Sequence, residues 1–100
     1  MIKIILAEKA EKDLSEISKY IAIDNQIRAK AFVKELLKKS KDVISIFPLS
    51  CPICNESLNI RRFVYRRYNI YYQYDQISDT VTILHIIHSA LLENTELENQ

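Results

Sequence analysis

One hundred residues, 48% of them apolar, suffice for a single domain with its own core and no help from metal or disulfide. The chain has no glycine, which excludes glycine-rich phosphate loops and dinucleotide-binding turns. Net charge is only +1, but residues 57–74 hold Arg61, Arg62, Arg66 and Arg67 without one acid, so this stretch is either a solvated strand face or the side that meets an anionic partner.

The opening run is interrupted by Lys3, Glu8 and Lys9 and reads neither as a signal peptide nor as a membrane span. With two cysteines and no export signal, the expected compartment is the reducing cytoplasm. Without glycine, turns that need a positive backbone dihedral are expected at Asn or Asp: Asp24-Asn25, Asn55, Asn69 and Asp79.

In chain order, Ile2, Ile4 and Leu6 predict a short first strand. Ala10, Leu14, Ile17 and Ile21 recur at helical spacing and predict a helix from about Glu8 to Asp24. Asp24 or Asn25 can cap the next helix, whose apolar side is Ala29, Phe32, Val33, Leu36, Leu37, Val43 and Ile44. It must stop near Phe47, because Pro48 disfavours helical geometry in the residue before it. So short a connection makes the two helices an antiparallel hairpin.

Three strands follow. In Leu58–Val64, Leu58, Ile60, Arg62 and Val64 are expected on one face and Asn59, Arg61 and Phe63 on the other. Tyr68–Asp75 is the second, and Thr80–His88, apolar on both faces, is the third and is expected inside the sheet. The fold class is therefore α+β, in the order β-α-α-β-β-β, with the helix hairpin packed on a small, mostly antiparallel sheet. Residues 1–88 are read as a single domain and 89–100 as an acidic tail that frays or forms a short helix.

Taken together and in order, these blocks resemble the RelE/ParE toxin superfamily, closest to its ParE-like branch. The likeness rests on Ala10, Asp13, Leu14, Ile17, Tyr20, Ile21 and Ala22, then on Asn25, Ala29, Phe32, Val33 and Leu36. It continues through Pro48, Arg61-Arg62-Phe63, Tyr68, Ile70-Tyr71-Tyr72 and the run from Ile83 to His88. The resemblance implies a bacterial, cytoplasmic type II toxin that arrests growth and is neutralised by a cognate, ParD-like antitoxin in a hetero-oligomer. It implies no cofactor and no membrane.

Two activities occur on this fold. RelE-like members are ribosome-dependent mRNA endonucleases, and their pattern has an arginine after the middle-strand tyrosine and a late basic residue followed by tyrosine. Here Asn69 follows Tyr68, Ser89 follows His88, and no tyrosine comes after Tyr74. Metal-free RNA cleavage needs cations on the phosphate and a group that moves the 2′-hydroxyl proton. ParE-like members inhibit DNA gyrase without chemistry of their own, and RRFVYRRYNIYY resembles theirs. The resemblance to that branch implies target binding through Arg61, Arg66, Arg67 and Tyr68. Two departures stand out: His88-Ser89-Ala90-Leu91-Leu92 replaces a His-Gly-Ala-Arg-Asp ending, and Ser50-Cys51 stands where a glycine usually follows the proline. These keep open a third reading, a degenerate toxin that only binds antitoxin.

Further constellations have plain structural readings beside functional ones. His85 and His88, three apart on a strand, should point to opposite faces and cannot form one catalytic pair. His88 and Arg61 are the catalytic candidates if the protein is a nuclease. Cys51-Pro52-Ile53-Cys54 could bind metal or form a labile disulfide, but free thiols in a surface loop are expected. Tyr65, Tyr68, Tyr71, Tyr72 and Tyr74 could stack on bases or serve packing. If Arg62 shares the apolar face of Ile60 and Val64, it needs a carboxylate, Asp13 or Glu16.

Overall fold

The computed structural model describes residues 2–90. The elements are β1 (Lys3–Leu6), α1 (Glu8–Ala22), α2 (Gln26–Ile46), β2 (Ile53–Asn55), β3 (Ile60–Tyr65), β4 (Tyr68–Asp75) and β5 (Thr80–His88). The five strands form one sheet in the order β1-β5-β4-β3-β2. Pairing is antiparallel throughout except that β1 runs parallel to β5. The α+β reading and the helix hairpin on one sheet face hold. The tail reading falls mainly on residues 91–100, which lie outside the described residues.

Both helices form as the apolar spacing requires. Asn25 caps α2, its side-chain oxygen accepting the Arg28 N–H at 2.9 Å. Leu14, Phe32, Leu36 and Ile44 from the helices meet Ile70, Tyr72, Val81, Ile83 and Ile86 from β4 and β5 in one core. Each such fully buried side chain contributes about 1.5–3 kcal/mol against exposure.

Several details differ from the sequence reading. β2 was not expected, because three residues behind a proline give no period to read. On β3, Arg61, Phe63 and Tyr65 pair with Tyr72, Ile70 and Tyr68, so these share the helix-facing side. Val64, on the face of Ile60 and Arg62, is 51% exposed. Among the described residues the positive dihedrals fall at Asn59, Arg66 and Asp79. Asn69 instead lies inside β4, and the Asn55 side chain organises its turn by accepting bonds from Ser57 Oγ at 3.0 Å and Leu58 N at 3.1 Å. No disulfide joins Cys51 and Cys54, and Cys51 is buried at the core margin rather than on the surface.

Asp13 explains how α1 joins the sheet. β1 ends opposite Ile83, so among the described residues no strand pairs with the outer edge of β5 beyond that point. The extra residue of a bulge follows, since Tyr71 pairs with His85 and Tyr72 with Ile83. The buried Asp13 carboxylate then accepts the Ile86 N–H at 3.0 Å and a bond from Lys9 Nζ at 2.7 Å, with His85 Nδ1 at 3.8 Å. Bonding to Asp13 raises the Lys9 ammonium above its ordinary range. Asp13 therefore satisfies the strand edge and its own neighbours, while Arg62, paired with Tyr71, lies on the sheet face away from the helices.

Candidate functional site

The β3–β4 hairpin turns through two residues, Arg66 and Arg67, between the paired Tyr65 and Tyr68. Arg66 takes φ 55°, a position where glycine or asparagine would sit at lower energy. The turn is fixed from the side. Arg67 O accepts the Ser89 N–H at 2.7 Å and Ser89 Oγ at 3.1 Å. Asn69 Nδ2 donates to Ile87 O and to Ser89 Oγ, both at 3.1 Å. Asn69 and Ser89 thus brace the hairpin end, which supplies their physical use at positions where the nuclease pattern carries other residues.

Behind the turn lies a row of rings. Phe32 on α2 contacts Tyr65 at 6.2 Å and Tyr68 at 5.2 Å between centroids, and His88 meets Tyr68 edge-on at 5.0 Å. Arg28 lies 5.4 Å over the Phe32 ring and bonds Glu35 at 3.2 Å. The Arg66 guanidinium sits 5.5 Å over Tyr65 and donates to its hydroxyl at 3.4 Å, a contact that raises Arg66 further above its already high range. Burial raises the Tyr68 phenol. Among the described residues neither Arg66 nor Arg67 belongs to an ion pair. Both are exposed.

The expected site residues separate into two places. Arg66, Arg67, Tyr68 and His88 come together at this end. Arg61 does not: about 13 Å of strand separates it from Tyr65, and its Nη1 donates to Leu49 O at 2.9 Å and Cys51 O at 2.7 Å. His88 Nδ1 accepts the Ala90 N–H at 3.1 Å, which occupies one of the nitrogens a general base would use. His85 pairs in register with Tyr71 and His88 with Tyr68, so the two histidines lie on opposite faces. No group of three His, Cys, Asp or Glu converges among the described residues. Tyr71 and Tyr72 are fully buried, which takes them out of any stacking surface. Sequence reasoning missed Arg28, Phe32 and Ser89 here. The ring positions could have been found from helix spacing, but the brace from Ser89 joins two residues 22 positions apart in the chain.

A family model described as the ParE toxin of the type II toxin–antitoxin system, parDE, matches residues 4–91. No curated protein sequence matches. Among solved structures, the chain is similar to one from a chromosomal ParDE toxin–antitoxin system of P. aeruginosa. That likeness has a TM-score of 0.73 at 16% identity, over 88% of this chain and 96% of the other. It is also similar to one from the RelBE2 toxin–antitoxin complex of Mycobacterium tuberculosis, with a TM-score of 0.65 at 19% identity, over 87% and 96%. At these identities the structures speak for the fold.

Proposed function

We infer that this chain, which belongs to the ParE toxin family of type II toxin–antitoxin systems, inhibits DNA gyrase by docking through its β3–β4 turn. The observation that supports this reading best is the Arg66–Arg67 pair, exposed, in no ion pair among the described residues, and braced by Ser89 and Asn69. The toxin unit is residues 1–88, acting in the cytoplasm. No helix among the described residues is long and apolar enough to cross a membrane.

A ParD-like antitoxin is the proposed partner, in a hetero-oligomer. Its surface is the exposed apolar side chains, which lie around the helix turn at Tyr20, Ile23 and Ile27 and along 46–53 at Ile46, Phe47, Leu49 and Ile53. The reading of an endonuclease is less well supported, because Arg61 is bonded to two loop carbonyls and His88 Nδ1 to a backbone N–H. Expression without antitoxin tests the choice. Accumulating DNA breaks with intact mRNA are expected, whereas mRNA cut at ribosomes with intact DNA would replace gyrase by the ribosome.

A further inference from the structure

We propose that the Arg66–Arg67 turn contacts the phosphate backbone of double-stranded DNA directly, rather than an acidic protein surface. The proposal rests on the gyrase reading above, in which the target is a protein–DNA complex, and names which component the turn touches.

The ligand chemistry follows from what the turn offers and what it withholds. Two adjacent guanidiniums project from a two-residue tip, and neither forms an ion pair among the described residues, although Glu35 on α2 acts on Arg66 from a distance. Duplex DNA presents about one negative charge per 1.7 Å of axis, a density that adjacent arginines match better than scattered surface carboxylates do. The tip is set before any ligand arrives. Ser89 holds Arg67 O with two bonds, and Arg66 keeps a backbone conformation its side chain does not favour. A non-glycine residue held in the left-handed region is a recurrent feature of ligand-contacting turns.

The rings decide between duplex and single strand. Proteins that hold single-stranded nucleic acid expose aromatic faces on which unstacked bases lie. Here Tyr65 is covered by Arg66 on one side and contacts Phe32, while Tyr68 is packed between Phe32 and His88. The two rings that flank the tip, Tyr65 and Tyr68, are both engaged within the protein, so the tip offers charge to a backbone rather than a platform to a base. The contact is therefore independent of sequence and suited to a duplex held by a partner enzyme.

Binding of the purified chain to a fluorescent 20-base-pair duplex, by anisotropy at several potassium chloride concentrations, tests this. Each phosphate contact adds about 0.9 to the slope of log affinity against log salt. The variant with both Arg66→Gln and Arg67→Gln should lose about 1.8 from that slope. Lys12→Gln, on the exposed face of α1, should leave it unchanged. Single-stranded RNA and DNA of equal length should bind more weakly than the duplex. The proposal is overturned if the double variant keeps the wild-type slope, if single strands bind as tightly, or if the turn variant loses binding to isolated gyrase subunits without any loss on DNA. The last result leaves gyrase as the target and assigns the turn to protein. Conversely, duplex binding lost in the variant with no DNA breaks in expressing cells would sink the gyrase reading and spare this one.

Discussion

Arg61 and Arg66 lie on the same hairpin, five residues apart, and the fold uses them in opposite ways. Arg61 is half-buried and its guanidinium pins the loop after α2 by two carbonyls, helped by Tyr72, whose hydroxyl donates to Pro48 O at 2.8 Å. Arg66 is exposed, sits in an unfavoured backbone conformation and, among the described residues, its guanidinium bonds only its neighbour Tyr65. A basic run in sequence therefore holds two different objects. Its first half fastens a loop to the sheet, and its second half is displayed.

The largest effect that would test this contrast is at the fastened end. Arg61→Ala should cost about 2–3 kcal/mol of folding stability, because bonds from a charged donor are lost and the Cys51 carbonyl is left half-buried without them. Denaturant unfolding checks this, and a variant as stable as the wild type would show that the loop holds without its arginine.

Cys51 gives the next effect. It closes the core beside that loop, so Cys51→Ser should cost about 1–2 kcal/mol, by placing a hydroxyl at an apolar margin. Cys54→Ser, at a less buried position, should cost less in the same unfolding assay. Equal costs would mean that burial does not separate the two thiols.

A pH effect follows from the same loop. Burial, first, and then the Cys51 contact push the Tyr72 phenol above its ordinary range. A folded-state pKa raised above the unfolded value gives stability that is complete below about pH 10 and is lost as pH climbs toward the folded value. Tyr68, Tyr74 and Lys9 shift the same way, so stability should fall above pH 10 in the wild type and fall less steeply in Tyr72→Phe. Parallel curves would remove Tyr72 from the explanation.

Much of this architecture was legible in the sequence. Thr80–His88 and Tyr68–Asp75 declared themselves by composition, and the helices by spacing, because burial of one face writes a period into the chain. The failures have physical causes. Arg61 and Arg62 look alike in an unbroken run, and only pairing with Tyr72 fixes which one faces the helices. Leu58 belongs to the turn before β3, yet the alternation of Ile60, Arg62 and Val64 against Arg61 and Phe63 holds; with apolar residues on both faces, the residues alone do not say which face meets the helices. Asp13 bonds a backbone N–H 73 residues away, a relation no local pattern carries. At the site, the arginine pair itself was visible, whereas the positive dihedral at Arg66 was not, since residue preference there points to Asn or Asp instead.

The smallest effect on stability has the most to say about the displayed end. Arg66→Gly restores the residue that the backbone prefers, so the melting midpoint should rise by about 3 °C while toxicity falls. A lower midpoint would show that the Tyr65 contact outweighs the strain.

The most direct test of the central claim, that the turn serves the target and not the fold, uses purified gyrase. Gyrase-mediated DNA cleavage is measured with the wild-type chain and with the variant carrying Arg66→Ala and Arg67→Ala, alongside the thermal unfolding of each. The account predicts an unchanged midpoint for the variant and cleavage reduced to the level without toxin. Full cleavage by the folded variant would contradict it.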